Sequence, residues 1–290
     1  MANLKEIRTR IISVESTMQI TSAMKMVSAA KLKRAQDAIV QMRPYAKKFN
    51  DILVNVAASL DNFDHPMMKS NNGKNILLIA LSSNRGLCGG FNNNIVKEVN
   101  KTISNNPDKN YTVFTIGKKV NDVFKKSDLL TKIESLPLNP QTIWDDLNYN
   151  NSILISSKII TAFKENKFDK AYIVYNSFKN AAVQNVENEL FLPLIPSENE
   201  SNSNADYIFE PDKEEILNNL IPQSLKIKLY KALLDSFASE HGARMTAMHK
   251  ATDNANEMKN DLKLFYNKAR QAAITNEILE IVAGAEALGG

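Results

Sequence analysis

Residues 4–60 read LKEIRTRIISVESTMQITSAMKMVSAAKLKRAQDAIVQMRPYAKKFNDILVNVAASL, and apolar or small side chains recur along them in alternating steps of three and four. This spacing is typical of a coiled-coil helix. At about 1.5 Å per residue such a helix is roughly 85 Å long, so we expect it to project from any compact domain. The predicted seam is Leu4, Ile7, Ile11, Val14, Met18, Thr21, Lys25, Ser28, Leu32, Ala35, Ile39, Met42, Ala46, Phe49, Leu53, Val56 and Leu60.

Two local features modify this helix. Pro44 removes one backbone donor, so we expect it to kink or loosen the helix just before it. The seam is weak at Thr21, Lys25 and Ser28, where a two-helix zipper would place large aliphatic residues. We interpret that weak stretch as a contact region.

A second helical region follows Pro211 and is predicted to break near Pro222. Two heptad helices at the two ends of one chain are most simply satisfied by an antiparallel coiled coil, in which residues 1–60 pair with residues 211–290. The alanine-rich seam allows close approach of the helices, and a helix that reaches past its partner would end as a single rod. The predicted second seam is Met248, Ala251, Ala255, Met258, Leu262, Phe265, Ala269, Ala272, Asn276, Leu279 and Ala283.

The residues between the helices change period and alternate strands with helices. Strands are predicted at 75–81, 111–116 and 171–175, with one or two more within 183–194, and helices at about 91–103, 118–126 and 140–166. This alternation indicates βαβ units and a mostly parallel sheet. We therefore expect an α/β protein with a Rossmann-like domain at residues 70–206, which ends in the polar loop 197–206, beside the coiled coil.

Composition and charge limit the classes of protein to which the chain can belong. The 290 residues carry a net charge of +4, but the stretch up to Ala58 has ten basic and four acidic residues, so the remainder is slightly acidic. The basic end could face nucleic acid, an acidic protein surface or anionic lipid, or it could be a solvated helix face. One cysteine allows no internal disulfide, and the charged start is unlike a secretory signal, so we expect a reducing, cytoplasmic-side location. The longest apolar runs are too short for a membrane span.

The sequence gives little evidence for a catalytic or metal site. The loop SSNRGLCGG, residues 82–90, follows a strand but matches neither common glycine-rich phosphate motif, so a tight turn is favoured over a phosphate site. His65, His241 and His249 have no zinc-like spacing, and Cys88 has no histidine near it in sequence. We expect no catalytic site, no metal and no cofactor.

Three segments together resemble one family. They are IRTRIISVESTMQITSAMKMVSAAKLKRAQ near the start, GLCGGFN in the middle and ARMTAMHKATDNANEMKNDLKLFYNKARQAAITNEILEIVAG at the end. The chain resembles, over essentially its whole length, the gamma subunit of the bacterial F-type ATP synthase. The resemblance implies a non-catalytic central rotor shaft inside a hexamer of alpha and beta subunits. It also implies a foot that contacts the c-subunit ring and the epsilon subunit on the cytoplasmic face of the bacterial inner membrane, as a peripheral protein that couples proton translocation to ATP synthesis.

The resemblance also implies the contact residues. Arg270 and Gln271 match residues that hydrogen-bond a loop of the beta subunit, and Met24 matches a shaft position near an acidic beta-subunit loop. Arg244, Thr275 and Glu277 match positions that tune the same coupling. The foot contacts with the c ring and epsilon are expected at Tyr207, Phe209 and Glu210.

The sequence departs from the family pattern at three places. Asn84 stands where the family has Asp, Gly242 interrupts a helix where Ala or Ser is usual, and the loop 197–206 is rich in Asn.

Two other classes of protein would fit the sequence features. A basic coiled-coil protein could instead bind nucleic acid with a steep salt dependence. An α/β enzyme with helical arms would bind a nucleotide by itself and turn over. The resemblance implies neither of these activities.

Overall fold

The computed structural model describes residues 4–58, 65–68, 73–131, 133–134, 136, 140–194 and 212–288. The chain divides into two compact units, one of Met1–Ser28 with Met245–Gly290 and one of Ala29–Arg244. The elements in chain order are α1 (Leu4–Ala58), β1 (Asn75–Leu81), α2 (Phe91–Asn105), β2 (Asn110–Ile116), α3 (Lys118–Phe124), a 3₁₀-helix (Gln141–Trp144), α4 (Tyr149–Lys164), β3 (Lys170–Phe178), β4 (Gln184–Leu192) and α5 (Lys213–Leu288).

The first unit is an antiparallel coiled coil of the start of α1 and the end of α5. The Thr252 hydroxyl donates to the Thr21 hydroxyl at 2.8 Å, and Lys259 Nζ lies 4.0 Å from a Glu15 carboxylate oxygen. The residue number rises along one helix as it falls along the other, which makes the helices antiparallel. The predicted α1 seam from Leu4 to Ser28 is buried or half-buried at every position.

The predicted α5 seam is confirmed from Met248 to Ala255, including Ala251, but it is wrong at three later positions that alternate with correct ones. Met258, Phe265 and Ala272 are exposed, whereas their neighbours Lys259, Tyr266 and Ala273 are half-buried. A long lysine or tyrosine side chain can bury its apolar body and keep its polar tip in water. A prediction from apolar character alone therefore chose Met258 and Phe265 in place of the half-buried Lys259 and Tyr266. The observed buried face is Met248, Ala251, Thr252, Ala255, Lys259, Leu262, Tyr266, Ala269 and Ala273.

The last part of α5 has no packing partner among the described residues. Every residue from Ile274 to Ala287 is exposed, including Ile278 and Ile281. At about 1.5 Å per residue this solitary segment is roughly 20 Å long. The prediction that one helix ends as a single rod is confirmed.

The second unit is built on a four-stranded sheet in the order β2-β1-β3-β4. β1 pairs in parallel with β2 and β3, and β4 pairs antiparallel with β3, so the sheet is mostly parallel as predicted. β1 is buried on both faces. Leu77, Ile79 and Leu81 pack on the side of α4 and α5, and Ile76, Leu78 and Ala80 pack on the side of α2 and α3.

One prediction about the middle elements is confirmed and one needs correction. Residues 183–194, predicted to supply one or two strands, supply one, β4. The helix predicted at about 140–166 is a short 3₁₀-helix followed by α4, because Asn148 caps the start of α4 by accepting from the backbone N–H of Asn151 at 2.8 Å. An Asn side chain satisfies an otherwise unpaired donor at a helix start, and it therefore separates the two helices.

The long helices continue into this unit and complete its core. Leu53 and Val56 of α1 and Leu217, Ile221 and Leu225 of α5 belong to the main apolar cluster. The predicted break near Pro222 is wrong, since α5 runs unbroken through it, and α1 likewise runs through Pro44. A proline inside a helix costs about 3 kcal/mol, but each fully buried leucine or isoleucine contributes about 1.5–3 kcal/mol, so the packing outweighs the penalty. No helix within the described residues is both long enough and apolar enough to cross a membrane.

Candidate functional site

The glycine-rich loop after β1 is a tight turn held by its own polar groups. Ser83 N–H donates to Asn92 Oδ1 at 3.0 Å, Ser83 Oγ donates to the Arg85 carbonyl at 2.7 Å, and Asn92 Nδ2 donates to Ser83 Oγ at 2.8 Å. Leu87 and Gly89 have positive φ angles of 62° and 58°, a left-handed turn that glycine adopts without strain. Because the loop uses these polar groups internally, its geometry favours the turn over a phosphate site.

Arg244 ties this loop to α5. Its guanidinium lies 2.7 Å from Glu240 Oε1 and donates to the carbonyl oxygens of Arg85 at 3.0 Å and Gly86 at 3.3 Å. The side chain is only 6% exposed. The resemblance implied that Arg244 tunes coupling at the beta subunit; the observed partners of its guanidinium lie within the chain. A contribution to coupling through the loop that Arg244 holds stays a prediction.

Burial shapes the electrostatics around Arg244. The pKa of the Glu240 carboxyl is raised by burial, which the Arg244 charge opposes. The pKa of His241 is lowered to about 3, first by burial and then by the positive charges of Arg244 and Lys31. His241 is therefore neutral at physiological pH. Sequence reasoning missed the Glu240–Arg244 pair, although its i,i+4 spacing was a visible signal.

Two of the three departures from the family pattern have structural explanations. Asn84 Nδ2 donates to the Gln141 carbonyl at 2.9 Å, and its Oδ1 accepts from Lys118 N–H at 3.2 Å, so the amide bridges two segments. At Gly242 a side-chain Cβ would lie 3.3 Å from both the Ala181 Cα and the Phe178 ring. The helix therefore places glycine where the β3–β4 hairpin approaches its backbone.

The other predicted contact residues lie in the coiled-coil unit. Arg270, Gln271, Thr275 and Glu277 are exposed on α5, and Thr275 Oγ1 donates to the Gln271 carbonyl at 3.0 Å. Met24 on α1 is half-buried. Within the described residues Arg270 forms no ion pair. Its guanidinium and the Gln271 amide are thus free to bind acidic or carbonyl acceptors of a partner.

The predicted foot contacts cannot be placed in the same way. Tyr207, Phe209 and Glu210 lie outside the described residues, as does the loop 197–206.

Exposed apolar side chains mark a further candidate contact surface on the coiled-coil unit. Large apolar side chains point to solvent on both helices, which is unusual for isolated soluble proteins when such residues are close together. Met26 is one of them, since helix geometry prevents Met24 and Met26, two positions apart, from both lying on the internal seam. The set comprises Ile12, Ile20, Met26, Val27, Met258, Leu264, Phe265, Ile274, Ile278, Leu279, Ile281 and Val282.

Groups with catalytic or metal-binding potential are sparse in the described part of the chain. Cys88 is buried, and burial raises the pKa of its thiol, which disfavours the reactive thiolate. No three His, Cys, Asp or Glu residues among those described are grouped so that they could hold a metal ion.

Comparison with known proteins gives a consistent result. A profile of the family described as ATP synthase matches residues 3–288. The ATP synthase gamma chains of Christiangramia forsetii and Flavobacterium johnsoniae are 56% and 57% identical to this chain, each over 292 residues that cover all of both chains.

Solved structures share the fold. A chain of the central stalk and c-ring structure of the Tetrahymena thermophila mitochondrial ATP synthase is 25% identical, with a TM-score of 0.57, and the match covers 80% of this chain and 99% of that one. A chain of the Euglena gracilis mitochondrial ATP synthase rotor is 20% identical, with a TM-score of 0.62, over 93% and 98% of the two chains. The full-length identity to gamma chains, together with the antiparallel coiled coil and the α/β unit, shows that the chain belongs to the ATP synthase gamma chain family.

Proposed function

We propose that this chain is the central-stalk rotor of an F-type ATP synthase and that it couples proton translocation through a ring of c subunits to ATP synthesis or hydrolysis at the beta subunits. The observation that carries the proposal is the identity of 56% to an ATP synthase gamma chain along the entire length. The gamma chain carries no catalytic site of its own in this proposal. Its place is the cytoplasmic face of the bacterial inner membrane, as a peripheral subunit.

The mechanism rests on an asymmetric shaft. Rotation of such a shaft inside a hexamer of alpha and beta subunits presents a different face to each beta subunit in turn, and the differential contacts favour a different conformation in each. The unpaired segment from Ile274 to Ala287 and the exposed apolar side chains of the coiled coil supply surfaces for those contacts. The buried seam keeps the two helices together while torque is transmitted.

Polar contacts would transmit the torque. The exposed Arg270 and Gln271 are placed on one turn of α5 and are the proposed hydrogen-bonding pair for a beta-subunit loop, with Thr275 and Glu277 one to two turns further and Met24 on α1. Tyr207, Phe209 and Glu210 are the proposed foot residues for the c ring and the epsilon subunit. A guanidinium can bind a carboxylate with two parallel hydrogen bonds, which suits a contact that must bear load.

The test is co-expression with the alpha and beta subunits. We expect size-exclusion chromatography to show one stable assembly whose ATPase activity requires this chain. The double substitution Arg270→Ala with Gln271→Ala should lower that ATPase about tenfold, which corresponds to about 1.4 kcal/mol of lost interaction.

A matched control lies one turn away. Asn267 and Lys268 are also exposed, and Asn267→Ala with Lys268→Ala removes the same kinds of groups, one amide and one cation. We expect this variant to keep near wild-type ATPase. If the chain elutes alone and the ATPase of the other subunits does not depend on it, the rotor proposal fails. The basic helix should then be tested for salt-dependent binding to DNA and RNA.

A further inference from the structure

An open cavity of about 710 Å³ lies within the unit of residues 29–244. Its walls come from the second half of α1, the first third of α5 and the β3–β4 hairpin. The volume falls within the range of pockets that hold small organic ligands. None of the described contact residues of the proposed rotor function lines it, so those contacts leave the cavity unexplained.

Four cations line the cavity. Arg43 and Lys47 stand one turn apart on α1, and Lys228 and Lys231 stand nearly one turn apart on α5. Residues at these spacings share a helix face, so each helix turns a pair of positive charges towards the same space. The two pairs lie on α1 and α5, which are far apart in the sequence, so the folded chain brings them together.

Three of these cations have no close partner. Lys228 is occupied, because its ammonium lies 3.0 Å from Glu189 Oε1 and donates to the Leu190 carbonyl at 2.6 Å. Within the described residues, Arg43, Lys47 and Lys231 make no hydrogen bond or ion pair. Their side chains are exposed at the mouth of the cavity, where they can turn towards a bound ligand.

The acidic groups of the cavity only partly balance this charge. Glu189 pairs with Lys228, and Asp235 is buried in the wall, where it interacts over a distance with Lys231 and Arg43. Two carboxylates against four cations leave an excess of two positive charges. A phosphate dianion supplies the matching charge, and arginine and lysine are the side chains that bind phosphate oxygens best.

Apart from Ser177 and Ser224, the remainder of the lining is apolar. Ile39, Met42 and Ile227 contribute aliphatic surface, and Phe49 and Phe178 contribute ring surface. A free inorganic anion would leave this apolar surface uncovered. A ligand with a phosphate head and an aliphatic body would satisfy both parts, because burial of each methylene contributes about 0.8 kcal/mol.

We propose that this cavity is a binding site for an aliphatic monophosphate, with its head held by Arg43, Lys47 and Lys231 and its chain packed against Ile39, Met42 and Ile227. The proposal is independent of the rotor function.

The test uses the full-length chain labelled with ¹³C-methyl methionine and titrated with octyl phosphate below its micelle concentration. Met42 lines the cavity and reports binding there, and Met42→Leu assigns its signal. The exposed Met258, in the other unit, is the internal reference. We expect a saturable shift of the Met42 methyl signal with the Met258 signal unmoved. Octanol and inorganic phosphate at the same concentrations should each bind at least tenfold more weakly.

Substitutions give the second readout. Arg43→Gln and Lys231→Gln should each weaken octyl phosphate binding about tenfold, and Lys47→Gln should weaken it more than Lys48→Gln. Lys48 is the matched control, an exposed neighbour of Lys47 outside the cavity lining. The substituted side chains are exposed, so the variants should fold, which circular dichroism verifies.

Several results would overturn the proposal. They are a Met42 signal that does not move, an equal response to octanol, and an equal loss of affinity in Lys48→Gln. Tighter binding of AMP than of octyl phosphate would overturn the aliphatic assignment. None of these results depends on assembly with other subunits, so failure here and failure of the rotor proposal are distinguishable.

Discussion

Gly117 occupies a position where the backbone admits no side chain. Its φ is 119°, and a Cβ built on it would collide with the Ser82 carbonyl oxygen. Strain and the collision together should make Gly117→Ala destabilise the protein by about 3 kcal/mol, measured by urea denaturation. Gly86→Ala is the control, since its Cβ would meet only the flexible end of Lys119 at 3.7 Å. Equal losses in the two variants would refute this reading of Gly117.

The lowered pKa of His241 predicts that the free energy of unfolding falls as the pH is lowered. Its folded-state pKa is about 3, lowered by burial and by Arg244 and Lys31, whereas the ordinary pKa of a histidine is 6.5. The contribution is complete above pH 6.5. Below that pH the unfolded chain takes up a proton that the folded chain refuses, so stability falls by up to about 1.4 kcal/mol per pH unit until pH nears 3.

The measurement compares wild type with His241→Gln. Between pH 7.5 and pH 5 the wild-type free energy of unfolding should fall by about 2 kcal/mol more than that of the variant. The raised pKa values of Glu240 and Asp235 act in the opposite direction, because their folded forms bind protons more readily than the unfolded chain. They are present in both proteins and largely cancel in the comparison. Parallel pH profiles would contradict a neutral buried His241.

At the scale of elements, sequence periodicity predicted α1 better than α5. Every described seam position of α1 is buried or half-buried. On α5 the positions seven residues apart, Met248, Ala255, Leu262 and Ala269, were predicted correctly, as was Ala251, but Met258, Phe265 and Ala272 were not. The strands were found because buried parallel strands read as apolar runs. The Glu240–Arg244 contacts to the loop could not be predicted, since they join residues far apart in the chain.

The corrected seam of α5 is tested by two adjacent aromatic residues. Tyr266 lies on the buried face and is half-buried, whereas Phe265 is 50% exposed. We expect Tyr266→Ala to lower the free energy of unfolding of the isolated chain by about 1.5 kcal/mol and Phe265→Ala by less than about 0.5 kcal/mol. Far-UV circular dichroism during urea denaturation measures both. A larger loss for Phe265→Ala would restore the seam predicted from apolar spacing.

At the scale of the whole molecule, the two units of the chain differ in how much apolar surface each one buries. The unit of residues 29–244 has a sheet buried on both faces, whereas the coiled-coil unit buries a single seam and exposes apolar side chains on the rest of its surface. Among the described residues, the least supported segment is Ile274–Ala287, which is exposed throughout. Local unfolding concentrates where few contacts oppose it, so this segment should open most readily.

Limited proteolysis tests this difference and the rotor proposal together. Glu277, Glu280 and Glu286 lie in the exposed segment, so among the glutamates that the structure describes, a glutamate-specific protease should cut these first in the isolated chain. Glu98, on α2 of the other unit, is the internal comparison and should be cut at least tenfold more slowly. Once assembled with alpha and beta subunits, the segment should become protected, because a rotor tip enclosed by the hexamer is shielded from the protease. Mass spectrometry of the fragments identifies the sites. A segment that is cut equally fast before and after assembly lies outside the hexamer, and the proposed placement of the shaft would then be wrong.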